Sequence, residues 1–400
     1  MPLIPLMRAL FSLLGAFVLA LVAYLIWTWW RGEVQFDHSG VPLHVRENWR
    51  LWLAVGLGSW SLAGRPLVLL FFARADSEPT RPHRGEGVLT SSSTGASLYV
   101  ESEGGADGPV IIVTHGWGLD STIWHYLIRR LRAERDLIPH RLVTWDLPGL
   151  GKSKQPPAGD IAVANFAADL AHLIKAEAPR PAILIGHSIG GMTIQTLVRD
   201  YPALVQTRVA GVVLLNTTYT NPLRTMVFAP LMMALRRPLI EPVFKLTVLF
   251  APLAWLSAWQ SYLNGTAHLA NRLQFGRSVT RSQLEHTTLL GTRNSQAVLA
   301  KGNLAMFDWD ASGSTAAITC PILVLGGELD LVTKIEASET LVDPSSTGSL
   351  ARVGGVNHMG FLEREHYYNG LIRSFIAEIA DDHRLAVADG DAPSFTGPDS

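Results

Sequence analysis

The stretch AILIGHSIGG, at residues 182–191, places a serine between a short apolar run and a helical pattern that continues to residue 201. The run 182–185 is bounded by glycine, which predicts a buried strand. Gly186 and Gly190 leave room for a sharp turn that would expose the hydroxyl of Ser188, and the amino terminus of the following helix favours negative charge there. A G-x-S-x-G pattern is common by chance, but its position between strand and helix predicts a nucleophilic serine.

A glycine-rich turn, HGWG at residues 115–118, follows a second predicted strand at 110–114. Such a turn can aim a backbone N–H at the nucleophile, and the residue after the serine supplies another. We therefore predict that the amides of Trp117 and Ile189 form an oxyanion hole, in which one donor is typically worth roughly 3 kcal/mol of the barrier. The alternative is that the glycines serve only the conformation of the turn.

An acid and a histidine follow further along the chain. Asp330 ends the segment GGELD at 326–330, after a predicted strand at 322–325, and His358 lies in GGVNHMG at 354–360. Serine, acid and histidine in this order, each in a turn after a strand-like run, are typical of the α/β-hydrolase triad. Together with the turn DLPGLGKS at 146–153, these motifs make residues 88–379 resemble the α/β-hydrolase family, in particular its serine hydrolases with a cap domain.

The resemblance implies an α/β-hydrolase fold, with a mostly parallel sheet and a helical cap insertion. Separately, the apolar run at residues 9–30 predicts an N-terminal transmembrane helix before this fold. The resemblance also implies acyl transfer, in which Ser188 attacks a carbonyl and His358 first takes and then returns the proton. Asp330 would hold the imidazole in the required tautomer, and water would then hydrolyse the acyl-enzyme.

The sequence departs from the family's pattern at two places. The family often has a proline soon after its acid, whereas Val332, Thr333 and Lys334 follow Asp330 here, and the common glycine before the final histidine is Asn357. Neither departure removes a catalytic group. Glu328 remains a reserve candidate for the acid, although its spacing from the strand is short.

Short apolar runs alternate with helical patterns after residue 88, which indicates a mostly parallel α/β sheet. The clearest predicted strands are 110–114, 141–145, 182–185, 211–215 and 322–325. Between residues 217 and 306 this alternation stops, and prolines interrupt apolar helical stretches. The predicted domains are a membrane anchor at 1–31, a juxtamembrane region at 32–87, the two halves of the core at 88–216 and 307–381, a helical cap at 217–306 and a polar tail at 382–400.

The amino-terminal region predicts a membrane anchor. Residues 9–30 carry no charge, have about the length that a bilayer core requires, and end in tryptophans at 27, 29 and 30 where an interfacial belt would lie. The alternative is a cleaved signal peptide, but bulky apolar residues continue well beyond the weak cleavage-like sequence at 18–20. Positively charged residues do not decide the orientation, so the side of the membrane that the catalytic domain faces stays open.

Two further regions suggest contact with lipid. The stretch 51–72 is apolar but contains three glycines, Arg65 and Pro66, so it predicts either a second span or a re-entrant or interfacial segment. In the cap, basic residues are interspersed with apolar ones, as on a membrane-contacting surface; the alternative is a cap packed on its own sheet. These interspersed basic residues are Arg224, Arg236, Arg237 and Lys245.

Composition excludes several classes of protein. Of the 400 residues, 48% are hydrophobic and 17% charged, which excludes an intrinsically disordered protein. A net charge of −1 argues against a nucleic-acid binder, because that affinity comes mostly from phosphate neutralisation. One cysteine excludes a disulfide framework and a cysteine-rich metal site, and the histidines show no metal-ligand spacing. We therefore expect no cofactor and no metal.

These features favour a membrane-anchored serine ester hydrolase, of the carboxylesterase or lipase type, that acts in lipid metabolism. Its expected partners are membrane lipid and a small-molecule lipophilic ester such as a monoacylglycerol. An acyltransferase or thioesterase with the same triad is one alternative. The other is a non-catalytic, hydrolase-like membrane protein that binds a ligand or a partner. The acyl chain length, the head group and the oligomeric state do not follow from the sequence.

Overall fold

The computed structural model describes residues 3–82, 84–105, 108–134, 139–343 and 347–388. The chain divides into two compact units. We call Met1–Thr80 with Met233–Asn303 the helical unit, and Arg81–Met232 with Leu304–Ser400 the sheet unit. The predicted cap is therefore divided between the two units at Met233. Of the predicted polar tail, residues 389–400 lie outside the described residues.

The strands are β1 Glu33–Phe36, β2 Pro42–Val45, β3 Val88–Ser91, β4 Ser97–Glu103, β5 Val110–Thr114, β6 Arg141–Trp145, β7 Ala182–His187, β8 Val209–Leu215, β9 Ile322–Gly327 and β10 Gly348–Val353. In the described part of the sheet unit they form one eight-stranded sheet of order β10-β9-β8-β7-β5-β6-β4-β3. The strands from β5 to β10 pair in parallel, and β3 and β4 add an antiparallel edge. This arrangement confirms the predicted fold class.

The helices are α1 Leu3–Arg31, α2 Asn48–Ala63, α3 Arg65–Phe72, α4 His125–Ala133, α5 Val163–Glu177, α6 Ile189–Asp200, α7 Pro202–Arg208, α8 Pro222–Thr225, α9 Ala229–Leu235, α10 Glu241–Leu249, α11 Ala251–Leu263, α12 Thr266–Arg272, α13 Arg281–Arg293, α14 Gln296–Met306, α15 Ile335–Val342, α16 Gly360–Glu363 and α17 Glu365–Ala388. In the sheet unit, α4 packs against α17 and α5 packs against α6. The described part of α17 extends seven residues into the predicted tail.

The core of the sheet unit lies around its central strands. All residues of β5 and β7 are buried, and β8 is buried except at one position. Parallel strands covered by helices on both faces are continuous apolar runs, which is why these strands were predictable. The carboxyl ends of β5, β7, β8, β9 and β10 meet at one edge of the sheet, and open α/β sheets place their chemistry at this edge.

In the helical unit, α1 and α2 pack as an antiparallel pair joined by the hairpin β1–β2. Near one end of the pair, Trp29 Nε1 donates to Asn48 Oδ1 at 3.3 Å. Further along, Val22 faces Gly58, where an added Cβ would lie 3.9 Å from the valine side chain. The tryptophans at the end of α1 and the start of α2 therefore lie at the same end of the pair, as expected for a helical hairpin.

The apolar stretch 51–72 is not one straight helix. The helix α2 continues through Gly56 and Gly58 and ends at Ala63, and α3 follows at an angle of 68°. The break coincides with Gly64, where a Cβ would lie 2.6 Å from the carbonyl oxygen of Asn264. The close approach of that carbonyl requires glycine here.

An ionic cluster ties the start of α3 to the helices α11 to α13. Arg65 Nη1 donates to Tyr262 OH at 2.6 Å and to Glu285 Oε1 at 2.8 Å. The second oxygen of Glu285 lies 2.8 Å from Nε2 of His268, whose side chain is fully buried. These contacts hold the bend between α2 and α3 in place within the helical unit.

Among the described residues, α1 contains one segment, Leu13–Arg31, that is long and apolar enough to cross a membrane. Two further pairs of consecutive helices, each bent at a break, are long and apolar enough only if both helices of the pair are counted as one span. They are α2 with α3, and Ala229–Leu249 with α11, the second bent by 102°.

Candidate active site

Ser188 stands on a sharp turn between β7 and α6. Its φ of 55° and ψ of −117° lie outside the regions that non-glycine residues usually adopt, and such a conformation costs of order 1–3 kcal/mol. The turn is held on both sides: Ser188 N donates to the carbonyl of Leu215 at 2.9 Å, and Thr217 Oγ1 donates to the carbonyl of Ser188 at 2.6 Å. The surrounding structure therefore fixes the strained serine at the carboxyl edge of the sheet.

Three glycines around Ser188 lie so close to neighbouring atoms that no side chain would fit at their positions. An added Cβ at Gly186 would lie 2.5 Å from the carbonyl carbon of Gly190, and one at Gly190 would lie 2.3 Å from the carbonyl oxygen of Thr114. At Gly191 it would lie 2.7 Å from the side chain of Thr217. A side chain at either glycine of the motif, Gly186 or Gly190, would therefore clash with the backbone. A side chain at Gly191, which lies outside the motif, would clash with Thr217.

Asp330 and His358 are brought together from the segments after β9 and β10. The distance between His358 Nδ1 and Asp330 Oδ2 is 2.9 Å, and both side chains are buried. Asp330 also accepts from Asn216 Nδ2 at 2.9 Å, from Thr333 Oγ1 at 2.8 Å and from the backbone of Val332 and Thr333 at 2.8 and 2.9 Å. Burial alone would raise the pKa of Asp330, but His358 and these donors outweigh it and hold that pKa below its ordinary value.

The other ring nitrogen of His358 is positioned to take a proton. Because Nδ1 faces an ionised carboxylate it carries the hydrogen, which leaves the lone pair on Nε2. Nε2 is buried and has no hydrogen-bond partner among the described residues. His187, the residue before the serine, donates from Nε2 to the carbonyl of His358 at 3.1 Å. The turn with Ser188 and the segment with His358 are therefore adjacent.

His187 itself is a packing residue. Its ring lies 4.9 Å from that of His358 and 4.6 Å from that of Phe361, between centroids. Complete burial, and then the neighbouring His358, lower the pKa of His187 well below its ordinary value. A neutral imidazole at this position supports His358 without adding a competing charge.

The segment after β5 carries one of the two predicted oxyanion donors, Trp117, and the other, Ile189, begins α6. An added Cβ at Gly116 would lie 2.5 Å from Nδ1 of His187, so the backbone here closely approaches the residue before Ser188. The half-buried ring of Trp117 packs on Phe166 with centroids 5.9 Å apart. Ile189 is the first residue of α6, so its N–H has no acceptor within that helix. The oxyanion role of Trp117 and Ile189 remains a prediction.

The family model described as "Alpha/beta hydrolase family" matches residues 110–369, more than half of the chain. The chain belongs to the alpha/beta hydrolase family. Among its relatives is a pimeloyl-[acyl-carrier protein] methyl ester esterase from Pectobacterium carotovorum subsp. carotovorum (strain PC1), 34% identical over 111 residues, or 28% of this chain and 38% of that protein.

Two other proteins match this chain over most of their own length. A protein from Variovorax paradoxus (strain S110), provisionally assigned as the carbamate hydrolase RutD, is 25% identical over 283 residues, which cover 71% of this chain and 97% of that protein. The solved structure of an esterase from Exiguobacterium antarcticum superposes with a TM-score of 0.58 at 18% identity, covering 73% of this chain and 100% of that one. At this identity the superposition shows the fold alone.

In this alpha/beta hydrolase, the carboxylate of Glu328 lies beside Gly354, where an added Cβ would be 3.3 Å from its Oε2. Its side chain is exposed, and its backbone N–H donates to the carbonyl of Val353 at 3.1 Å. Asp330, two residues later, is buried and bonded to His358. Of the two acids that the sequence left as candidates, the geometry therefore favours Asp330 as the partner of His358.

Several supporting residues of this alpha/beta hydrolase site were not predicted from the sequence. Asn216, which donates to Asp330, has a φ of 43°, a left-handed conformation that asparagine adopts more readily than most residues. Asn357, one of the departures from the family's pattern, accepts from the N–H of Leu331 at 3.0 Å and of His358 at 2.7 Å. Its side chain thereby joins the segment that carries the acid to the one that carries the histidine.

A second buried cluster of this hydrolase fold joins Arg84 to Asp120 and Asp146. The distance from Arg84 Nη1 to Asp146 Oδ2 is 2.7 Å, and the distance from Arg84 Nη2 to Asp120 Oδ2 is 2.5 Å. Asp146, which is fully buried, also accepts from the backbone N–H of Ser121 at 2.7 Å and of Lys152 at 2.8 Å. The cluster joins the segment after β5 to the glycine-rich turn after β6. Arg84 was not predicted, because it lies far from both aspartates in sequence.

Among the described residues, no group of three or more histidine, cysteine, aspartate or glutamate side chains is arranged to hold a metal ion.

Proposed function

We propose that the protein is a serine ester hydrolase that α1 anchors to a membrane, and that it cleaves a lipophilic carboxylic ester through an acyl-enzyme. The observation that carries the catalytic part is the buried pair of His358 and Asp330, with Nε2 of the imidazole free to accept a proton. Ser188 lies on the adjacent strained turn at the same edge of the sheet.

In the first half of the reaction, His358 Nε2 takes the proton of Ser188 as its hydroxyl oxygen attacks the carbonyl carbon. The amides of Trp117 and Ile189 stabilise the negative oxygen of the tetrahedral intermediate. When this intermediate collapses, His358 gives the proton to the leaving alcohol. Asp330 stays ionised throughout, because its donors hold its pKa below the ordinary value.

In the second half, His358 takes a proton from water as the water attacks the acyl-enzyme, and then returns it to Ser188. The products are the alcohol and the free acid. The relatives' names support hydrolysis at a carbonyl group, since one is a methyl ester esterase and the other is provisionally a carbamate hydrolase.

The lipophilic substrate is inferred from the helical unit. Its helix α1 contains a segment able to cross a bilayer, and large apolar side chains are exposed on α1, α2, α3 and α11. An enzyme held at a bilayer meets its substrate among lipids, so we propose a monoacylglycerol-like or other lipid ester.

The test is hydrolysis of p-nitrophenyl esters from acetyl to palmitoyl, and of a monoacylglycerol, by the full chain in detergent micelles. We expect turnover by the wild type, at a kcat/KM that rises with chain length, and at least a 10³-fold loss in Ser188→Ala. Ser93→Ala, which changes an exposed serine, is the matched control. Equal turnover by Ser188→Ala and wild type would overturn the mechanism, whereas a preference for acetyl esters would overturn only the lipid substrate.

A further inference from the structure

The bend between α10 and α11, which we call the elbow, carries an apolar surface. Six large side chains there are each at least half exposed: Leu246, Leu249, Phe250, Leu253, Trp255 and Leu256. The sequence contains no aspartate, glutamate, lysine or arginine between Lys245 and Arg272. Contiguous exposed apolar surface without interspersed charge marks an interaction site rather than an ordinary solvated surface.

The inner side of the elbow packs on the anchor helix. Within the helical unit, α11 contacts α1, and an added Cβ at Gly15 would lie only 2.2 Å from Oε1 of Gln260. The bare backbone at Gly15 thus lets the two helices approach closely. The depth of Gln260, near the end of α11, relative to a bilayer therefore follows from the depth of Gly15.

That depth follows from helix geometry. Gly15 precedes Trp30 by fifteen residues, so at 1.5 Å per residue it lies about 22 Å along α1 from the tryptophans at its carboxyl end. The hydrocarbon core of a bilayer is about 30 Å thick. With the tryptophans at one interface, Gly15 and the part of α11 against it lie inside the hydrocarbon, about 8 Å from the opposite interface.

Charge at the edge of the elbow fits a lipid surface better than a second copy of the chain. Arg237 and Lys245 precede the uncharged segment and are exposed. Basic side chains beside an apolar helix face are typical of helices that lie in the interface, where they meet lipid phosphates. The helix angle of 102° suits such a re-entrant segment and not a straight span.

We propose that the elbow, residues 246–264, is embedded in the lipid leaflet on the side of the membrane where α1 begins. The exposed apolar face of the elbow then contacts the acyl chains of the bilayer. This inference rests on the proposed anchor role of α1, but not on the proposed hydrolysis.

The test places one fluorophore at a time on the full chain in phosphatidylcholine liposomes. The one cysteine of the sequence is removed by Cys320→Ser, and the dye NBD is attached to Leu253→Cys on the elbow. Leu19→Cys reports on the anchor, and Arg277→Cys, at an exposed charged residue of the same unit, is the aqueous control. Quenching is measured with lipids that carry a nitroxide on the acyl chain and, separately, with iodide.

We expect the nitroxide lipids to quench NBD at positions 253 and 19 several-fold more strongly than at 277, and iodide to show the reverse order. The elbow proposal is overturned if position 253 behaves like 277 while position 19 is quenched by the nitroxide lipids. If position 19 also behaves like 277, the anchor itself fails, and the elbow proposal fails with it. Esterase activity enters neither result, so the hydrolase mechanism is tested separately.

Discussion

Replacing Asp330 by asparagine keeps the shape of the side chain but changes one buried oxygen into an NH₂ group. In the wild type, Oδ1 accepts the backbone N–H groups of Val332 and Thr333. Oδ2 accepts from His358 Nδ1, Asn216 Nδ2 and Thr333 Oγ1, all within 2.9 Å. An asparagine that satisfies the two backbone donors therefore points its NH₂ group at three groups that donate in the wild type.

The expected cost follows from this geometry. Facing an NH₂ group, the imidazole of His358 binds through an unprotonated Nδ1, so its hydrogen moves to Nε2. An Nε2 that already carries hydrogen cannot take the proton of Ser188. Loss of the correct tautomer in a Ser-His-Asp triad lowers kcat by about 10⁴, which corresponds to about 5 kcal/mol of transition-state stabilisation.

The assay is the kcat of ester hydrolysis for Asp330→Asn beside Glu328→Gln, which makes the same chemical change at an exposed acid two residues away. We expect a loss of 10³- to 10⁴-fold for the first variant and less than twofold for the second. Urea unfolding of both variants separates a catalytic loss from a loss of folded protein. A well-folded Asp330→Asn enzyme with more than a tenth of wild-type kcat would refute the assigned role of this acid.

Three further predictions concern the surroundings of the site. Arg84→Ala leaves the buried carboxylate of Asp146 without its cation, so urea unfolding should show a loss of about 3 kcal/mol, and unchanged stability would contradict this. Gly190→Ala forces a Cβ to 2.3 Å from the carbonyl oxygen of Thr114, so we expect little soluble, active protein; a wild-type yield and activity would show that the turn can shift. Burial opposes the charge of Asp120, but Arg84 outweighs it and lowers the pKa of Asp120 below 3.8. The carboxylate therefore stabilises the fold above about pH 4 and loses this effect in stronger acid, so the stability gap between wild type and Asp120→Asn should narrow from pH 7 to pH 3 and not widen.

The sequence predicted the centre of the sheet well and its margins poorly. Two predicted strands, 110–114 and 141–145, have the observed bounds, because buried parallel strands are uninterrupted apolar runs. The strands β3, β4 and β10 were not predicted. Their exposed or half-exposed positions mix polar with apolar residues, so no continuous run marks them.

The triad candidates came from motif order, but their supports depend on contacts between distant parts of the chain. Asn216 is 114 residues from Asp330, and in sequence it has no feature that links the two. The departures from the family's pattern have a structural use that only the fold reveals. Thr333, which stands where a proline is frequent, donates twice to Asp330, and Asn357 accepts from the backbone of His358.

In the helical unit, composition predicted apolar segments but not their paths. Gly56, Gly58 and Gly64 all weaken a helix in principle, yet the helix breaks only at Gly64. Two causes coincide there: Pro66 has no N–H to continue the helix, and the carbonyl of Asn264 approaches Gly64 too closely for a side chain. Likewise, the division of the predicted cap at Met233 depends on which helices pack on α1, and no local pattern encodes that.

The most direct test of the central claim, an activated Ser188, is labelling of the full chain with a fluorophosphonate probe, followed by mass spectrometry of the labelled peptide. We predict that the wild type is labelled on Ser188, that Ser188→Ala is not labelled, and that His358→Ala is labelled at least 10²-fold more slowly. Folded wild-type protein that resists the probe, or that carries the label on another residue, would contradict the mechanism.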